Sequence, residues 1–221
     1  MNENIEKRLR IIVENSTRKA AIKEWKKASE KQGLPLYNYR LDHIDGVVAL
    51  AKEIAIGTAA DLDVVILAAW LHDLAKPGVG GISTERHGIA SAEMAKEILT
   101  SEKVDRTTIN RVAEVIEKHV GLTIKEPLKP IEAQILWEAD KILKLGMIGF
   151  VQHVLNGIRL FPGRSLDEIA KSLRDFIPLA SEISQCMVTP RGIDLATKRL
   201  NTLRELSNYL DSEMLPSNKD V

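Results

Sequence analysis

Apolar residues recur along this chain at helical spacing, and they divide it into nine segments with no stretch that alternates as a strand would. Ile5, Leu9, Ile12, Val13, Ile22 and Trp25 mark the first, which Gly33 and Pro35 end. Ile44, Val47, Val48, Ala51 and Ala55 form one stripe of a second helix over Tyr39–Ile56, stopped by Gly57. Val64 to Leu71 is the longest unbroken apolar run. Its three alanines and the acidic start at Asp61 and Asp63 favour a helix over Asp61–Ala75, and a helix apolar nearly all round belongs at the centre of a core. Pro77 and Gly78 forbid its continuation.

Beyond the glycine-rich loop (Gly78, Gly80, Gly81), the pattern predicts helices over His87–Thr100, Asp105–Val120 and Pro130–Leu145. Asp105 stands where an N-cap belongs, and Pro130 at a first helical position. Further helices are expected over Ile148–Arg159 and Ser165–Met187. The latter opens with an S-x-x-E capping box and should be kinked or split at Pro178. A last helix starts at Thr189-Pro190, with Ile193, Ala196, Leu200, Leu203 and Leu210 on a coiled-coil-like seam that would pack internally or against a second copy as a homodimer. Residues from Leu215 on read as a frayed tail. The expected fold class is all-α.

Composition narrows the function classes. With 221 residues, 44% of them hydrophobic, the chain can bury a full core. Lys+Arg and Asp+Glu both count 31, so no net basic charge points to a nucleic-acid duplex as partner. A small anionic substrate needs only a few local cations. The first segment holds nine Lys/Arg against five Asp/Glu through Lys31; a solvated helix face explains that excess more simply than an anion-binding surface. The single cysteine, Cys186, excludes an intramolecular disulfide and reads as a small apolar group. Met1–Arg10 is charged, and no run approaches the ~20 apolar residues of a membrane span, so a cytoplasmic protein without a membrane partner is expected.

Chemistry concentrates around the histidines. His72 and Asp73 are consecutive at the C-terminal end of the most apolar helix. Burying an imidazole beside a carboxylate there is costly unless a cation binds both, and a carboxylate at a helix C-terminus opposes the macrodipole. A divalent ion meets both objections. Neighbouring helical residues point about 100° apart, so other helices must supply further ligands. His43 borders the buried stripe of its helix, and Asp140 lies inside the apolar pattern WEADKIL, where an unpaired carboxylate would be expensive. The plain alternative is a hydrogen-bonded core histidine with a helix-end aspartate. His119 falls on the buried stripe of its own helix and His87 opens another; His153, Trp25, Trp70 and Trp137 read as structural.

The order His43, His72-Asp73, Asp140 resembles the ligand pattern of the HD-domain superfamily of metal-dependent phosphohydrolases. HDLAK at 72–76, RHGIASAEMA at 86–95 and ILWEADKILKLGMIG at 135–149 resemble three of its segments, and TPRGIDLATKRLNTL resembles, more weakly, a C-terminal helix of its small nucleotide-hydrolysing members. The likeness covers roughly Tyr39 to Leu210. It implies an HD-domain bundle over 34–214, leaving 1–33 as an amphipathic helix packed on it and 215–221 as the tail. It implies a divalent ion (Mn, Ni, Co, Zn, Fe or Mg) on His43, His72, Asp73 and Asp140, and hydrolysis of a small phosphorylated substrate, a nucleotide by resemblance alone. Asp73 would orient or deprotonate the attacking water. Lys76, with Arg86 and His87, would meet the substrate phosphate; Arg40 has a weaker case. Our reading gives His87 and His119 supporting roles around one ion. A second ion on these two histidines is the alternative, as in binuclear members. Rival functions are a non-catalytic nucleotide- or metal-binding regulator and a di-iron HD-type oxygenase.

Overall fold

A computed structural model describes residues 3–25, 35–75 and 86–214. Among them there are nine helices and no strand: α1 (Glu3–Trp25), α2 (Tyr39–Ala55), α3 (Leu62–Leu71), α4 (His87–Ser101), α5 (Arg106–Lys118), α6 (Ile131–Leu143), α7 (Gly146–Leu160), α8 (Leu166–Gln185) and α9 (Pro190–Glu213). Among the described residues no helix is long and apolar enough to cross a membrane. The expected glycine-rich loop and the frayed tail from Leu215 lie outside the described residues, as does the end of the first segment.

Two helices are buried on every side. α3 buries Val64 through Leu71, as its unbroken apolar run requires. α6 buries all its residues from Glu132 to Leu143, although five of them are Glu132, Gln134, Glu138, Asp140 and Lys141. α2 packs against both, and α5 and α4 close one side. α1 lies over α2 and α3, burying Leu9 and Val13, with Glu6 tied to Lys52 (2.6 Å) and to the Trp70 indole N–H (3.2 Å). The last helices cover the other flank, α9 packing on α8, α7 and α6.

Each buried polar group of α6 outside the histidine cluster anchors a neighbour. Glu132 accepts from the Asp61 backbone N–H (2.9 Å) and from Arg111 (3.1 Å), whose guanidinium also meets the Asp61 carboxylate (2.6 Å). Asp61 in turn caps α3 through the N–H groups of Asp63 and Val64, so one network fixes the start of α3 against α5 and α6. Glu138, fully buried, accepts from the backbone N–H groups of Val188 (2.7 Å) and Thr189 (3.0 Å), just before α9. A carboxylate is stabilised at a helix N-terminus, which makes its burial tolerable.

Several expected boundaries shift for physical reasons. α3 ends at Leu71 instead of Ala75, because the Ala75 N–H turns to Ser91 Oγ (3.1 Å) and the His72 ring bonds the Ala69 carbonyl (2.8 Å). Pro130 is the N-cap of α6 and not its first residue, since its ψ of 176° is extended. α8 runs through Pro178 as one helix; Pro178 and Arg174, whose carbonyl loses its helical donor, are both on the exposed side. In α9, Ala196, Leu200 and Leu203 are buried, but Ile193 is 48% exposed and drops out of the seam.

Gly192 sits where α9 meets Glu138: a Cβ there would stand 2.0 Å from Glu138 Oε2 and 2.7 Å from Thr189 Oγ1. Gly192→Ala should therefore cost about 2 kcal/mol or more of unfolding free energy. Gly46→Ala, which meets only the flexible end of Leu143 at 2.8 Å, should cost clearly less. Urea unfolding of the two variants checks this; equal losses would mean that the Glu138 contact does not constrain α9.

Candidate metal centre

Five helices deliver one residue or pair each to a single buried cluster. α2 contributes His43, the turn after α3 contributes His72 and Asp73, α4 begins with His87, α5 is capped by His119, and α6 carries Asp140. All six residues are 9% exposed or less.

Asp73 lies at the middle. Its Oδ2 is 3.5 Å from His43 Nε2 and 3.7 Å from His72 Nε2, while its Oδ1 is 3.7 Å from His87 Nε2 and 3.8 Å from His119 Nε2. The His87 and His119 Nε2 atoms are 3.1 Å apart. In each of two groups, His43–His72–Asp73 and Asp73–His87–His119, one ligand atom per residue falls within 4.8 Å of the others. Asp140 stands beside the first group, its Oδ1 being 3.2 Å from His43 Nε2.

Local structure explains the convergence. Gly88 lets the first turn of α4 press on the last turn of α5: a Cβ there would lie 2.7 Å from Val120 Cγ2 and 3.2 Å from the Glu117 carbonyl. Ser91, three residues on, accepts the Ala75 N–H and ties α4 to the turn that bears His72 and Asp73. Histidine, glycine and serine of the H-G-x-x-S string thus each serve the same junction.

Protonation follows from the partners. The His72 and His119 Nδ1 atoms lie 2.8 Å from the Ala69 carbonyl and 2.5 Å from the Ile116 carbonyl. A carbonyl can only accept, so each Nδ1 carries the proton and a neutral ring points its Nε2 lone pair inward. Burial pushes the His72 pKa down to about 4, against the opposing pull of Asp73. His72 Nε2 is buried and has no hydrogen-bond partner. A lone pair and a carboxylate oxygen, both acceptors, thus face each other with no proton between them, and a cation removes that conflict. Metal-binding histidines use this arrangement, one ring nitrogen fixed by a carbonyl and the other at the ion. The donor set fits a divalent ion.

Asp140 carries a feature that sequence reasoning missed. Lys141 hydrogen-bonds its Oδ2 and Lys144 its Oδ1 (2.6 Å). Burial alone would raise the Asp140 pKa, but the two ammonium groups hold it well below the usual carboxylate range. Lys141 also donates to the His119 carbonyl (3.2 Å), linking the two ends of the cluster. Lys144 was legible as an i,i+4 partner of Asp140; Lys141 was not, because nothing in the pattern showed that α6 is buried all round. Tyr39, one turn before His43, stacks on its ring at 5.8 Å between centroids.

The remaining expected residues are dispersed. Arg86 is exposed, one residue before His87, and Lys76 lies outside the described residues. Arg40 is largely buried and pairs with Glu24 of α1 (2.6 Å). His153 is away from the cluster, near Ser172 Oγ at 3.3 Å. Cys186 is half-buried and donates to the Ile124 and Glu182 carbonyls.

The HD domain family model matches residues 40–145, a span that contains all six clustered residues. Residues 40–145 of this chain form an HD domain. Its fold is similar to that of Bacillus subtilis YpgQ, solved in complex with ADP, at TM-score 0.65 and 20% identity over 95% of this chain and 97% of that one. An HD-superfamily hydrolase from Bacillus thuringiensis gives TM-score 0.67 at 16% identity, over 96% of this chain and 98% of its own. Among curated proteins, a tRNA (cytidine(56)-2'-O)-methyltransferase of Thermoplasma volcanium is 34% identical over 88 residues. That match covers 40% of the HD-domain chain but 23% of the methyltransferase, so the chain spans under a quarter of that relative's length.

The depressed His72 pKa makes stability pH-dependent in chelator-treated protein. Between about 6.5 and about 4 the unfolded chain binds a proton at His72 that the folded chain refuses, so stability falls as pH falls through that window. The expected loss is on the order of 3 kcal/mol. Urea midpoints across the window, in wild type and His72→Leu, measure it: the variant's profile should be flatter, and parallel profiles would contradict the assigned protonation.

Proposed function

We propose that this protein is a metal-dependent phosphohydrolase acting on a small phosphorylated substrate, a nucleotide being the class best supported. The observation that carries this reading is the buried pair of acceptors at His72 Nε2 and Asp73, inside an HD domain. His43, His72, Asp73 and Asp140 would hold one divalent ion. Because Asp73 turns one oxygen to each pair of imidazoles, the geometry favours a second ion on Asp73, His87 and His119 over the single ion expected from the sequence. Such ions supply Lewis acidity, which polarises a phosphoryl oxygen and acidifies water towards a pKa of ~7.

The protein's own groups do the rest. Carbonyl-fixed Nδ1–H groups keep the His72 and His119 rings from rotating, so both lone pairs are oriented before any ligand arrives. Lys141 and Lys144 keep Asp140 ionised. Asp73 is within reach of every imidazole of the cluster and can take the proton that attacking water gives up as the phosphorus–oxygen bond to the leaving group breaks. Burial of all six residues limits bulk water around the reacting phosphate. Arg86 and Lys76 are proposed phosphate contacts. The ADP bound to YpgQ, whose fold this chain shares, supports a nucleotide as substrate.

Turnover of nucleotides and simple phosphoesters with Mn2+, Co2+ or Ni2+ tests the proposal. Wild type should release phosphate or pyrophosphate, and Asp73→Asn should lower kcat by roughly a hundredfold or more. Metal and nucleotide binding without turnover would establish a regulator instead. Iron-dependent oxygen uptake without phosphate release would establish an oxygenase.

A further inference from the structure

A cleft of about 720 Å3 opens between α1 and the turn that follows α3. Asp73 and Ala75 line it on one side, Lys19 and Lys23 of α1 on the other, and Arg40 of α2 beside them. It therefore leads from the solvent to the central carboxylate of the cluster.

The cations of this cleft differ from the arginines on the rest of α1. Arg8 pairs with Glu102 (2.5 Å), Arg10 with Asp45 (3.1 Å) and Arg18 with Glu14 (3.4 Å). Lys19 and Lys23 are exposed and form no ion pair among the described residues. Arg40 gives one terminal nitrogen to Glu24 at 2.6 Å, but its Nε is buried with no hydrogen-bond partner. Arg40 also lines the cleft, so its guanidinium adds to the positive potential that an anion entering there would meet. Asp73 is the one acid lining the cleft among the described residues, so Lys19 and Lys23 on the facing wall are left without an acidic partner.

We propose that this cleft binds the remote phosphates of a polyphosphate chain whose reacting phosphate lies at Asp73, with Lys19, Lys23 and Arg40 as the binding groups. The inference rests on the phosphohydrolase reading and narrows it from any phosphoester to a di- or triphosphate. It also reassigns part of the basic excess of the first segment from a solvated face to the substrate. A monophosphate at Asp73 would leave the lysines unused, whereas a triphosphate extends its charge towards them.

Isothermal titration of the full chain in Mg2+ buffer tests this, with a methylene-bridged inorganic triphosphate, which resists hydrolysis, and with orthophosphate. Lys19→Ala/Lys23→Ala should weaken triphosphate binding by roughly tenfold or more, and orthophosphate binding by much less. Alanine suits an exposed helix position, so the variant should fold. Arg18→Ala removes one positive charge from the paired face of the same helix and should leave triphosphate binding near wild type. Unchanged binding in the double variant, an equal loss for orthophosphate, or an equal loss in Arg18→Ala would each overturn the proposal. Repeating the series with β,γ-methylene-ATP separates the sources: tighter binding than the inorganic analogue assigns the cleft to a nucleotide, equal binding to the phosphate chain alone, and both support it. A protein that binds the analogue through these lysines but hydrolyses no phosphoester would refute the hydrolase reading and keep the cleft. Hydrolysis with unaltered binding in the double variant would do the reverse.

Discussion

Asp73 faces four imidazole nitrogens from inside the protein, two on each carboxylate oxygen, and two of those rings have their protons committed to backbone carbonyls. Bringing lone pairs and a carboxylate together in this way is unfavourable by itself, and the rest of the structure holds them there. The α3 helix ends early so that His72 and Asp73 fall in a turn. Gly88 draws α4 against α5, which places His87 beside His119. The Ser91 hydroxyl ties that junction back to Ala75. A cation at the centre would convert this accumulation of acceptors into favourable bonds, and the depressed His72 pKa keeps the imidazole open to one rather than to a proton.

α6 is the helix on which the two halves of the bundle depend. Its buried acids point in three directions: Glu132 to the start of α3 and to Arg111 in α5, Glu138 to the start of α9, and Asp140 to the cluster. Because Lys141 joins Asp140 to the His119 carbonyl, the helix also fixes the distance between the ends of the site. α1 has a different place in the scheme. It lies outside the span matched by the HD domain family and is fastened to α2 and α3 by Glu6 and by buried Leu9 and Val13. That attachment sets a wall of basic residues beside the cleft that reaches Asp73.

Much of the helical order was legible because apolar spacing reports burial on one face, and capping residues such as Asp105, Ser165 and Thr189 mark where helices begin. The pairing of His43 and Asp140 with the His72-Asp73 step was legible too, since a polar group on a buried stripe needs a partner. What could not be read was which partner each buried group takes. Lys141 and Glu138 look like ordinary exposed charges until α6 is seen to be covered on every side. The two-sided use of Asp73 depends on the approach of α4 and α5, a contact between segments that no local pattern encodes. Pro178 misled because the cost of a proline depends on whether the carbonyl it abandons is buried, and here it lies on the exposed side.

The central claim is that the lone pair of His72 and the carboxylate of Asp73 are held for a cation. Anomalous diffraction from crystals grown with Mn2+ tests it most directly. The account predicts an anomalous peak in contact with both His72 Nε2 and Asp73 Oδ2, and a second peak on the opposite side of Asp73, between His87 and His119. A well-ordered site with no anomalous scatterer at His72, and a water or a protein donor in hydrogen-bond contact with its Nε2, would contradict it.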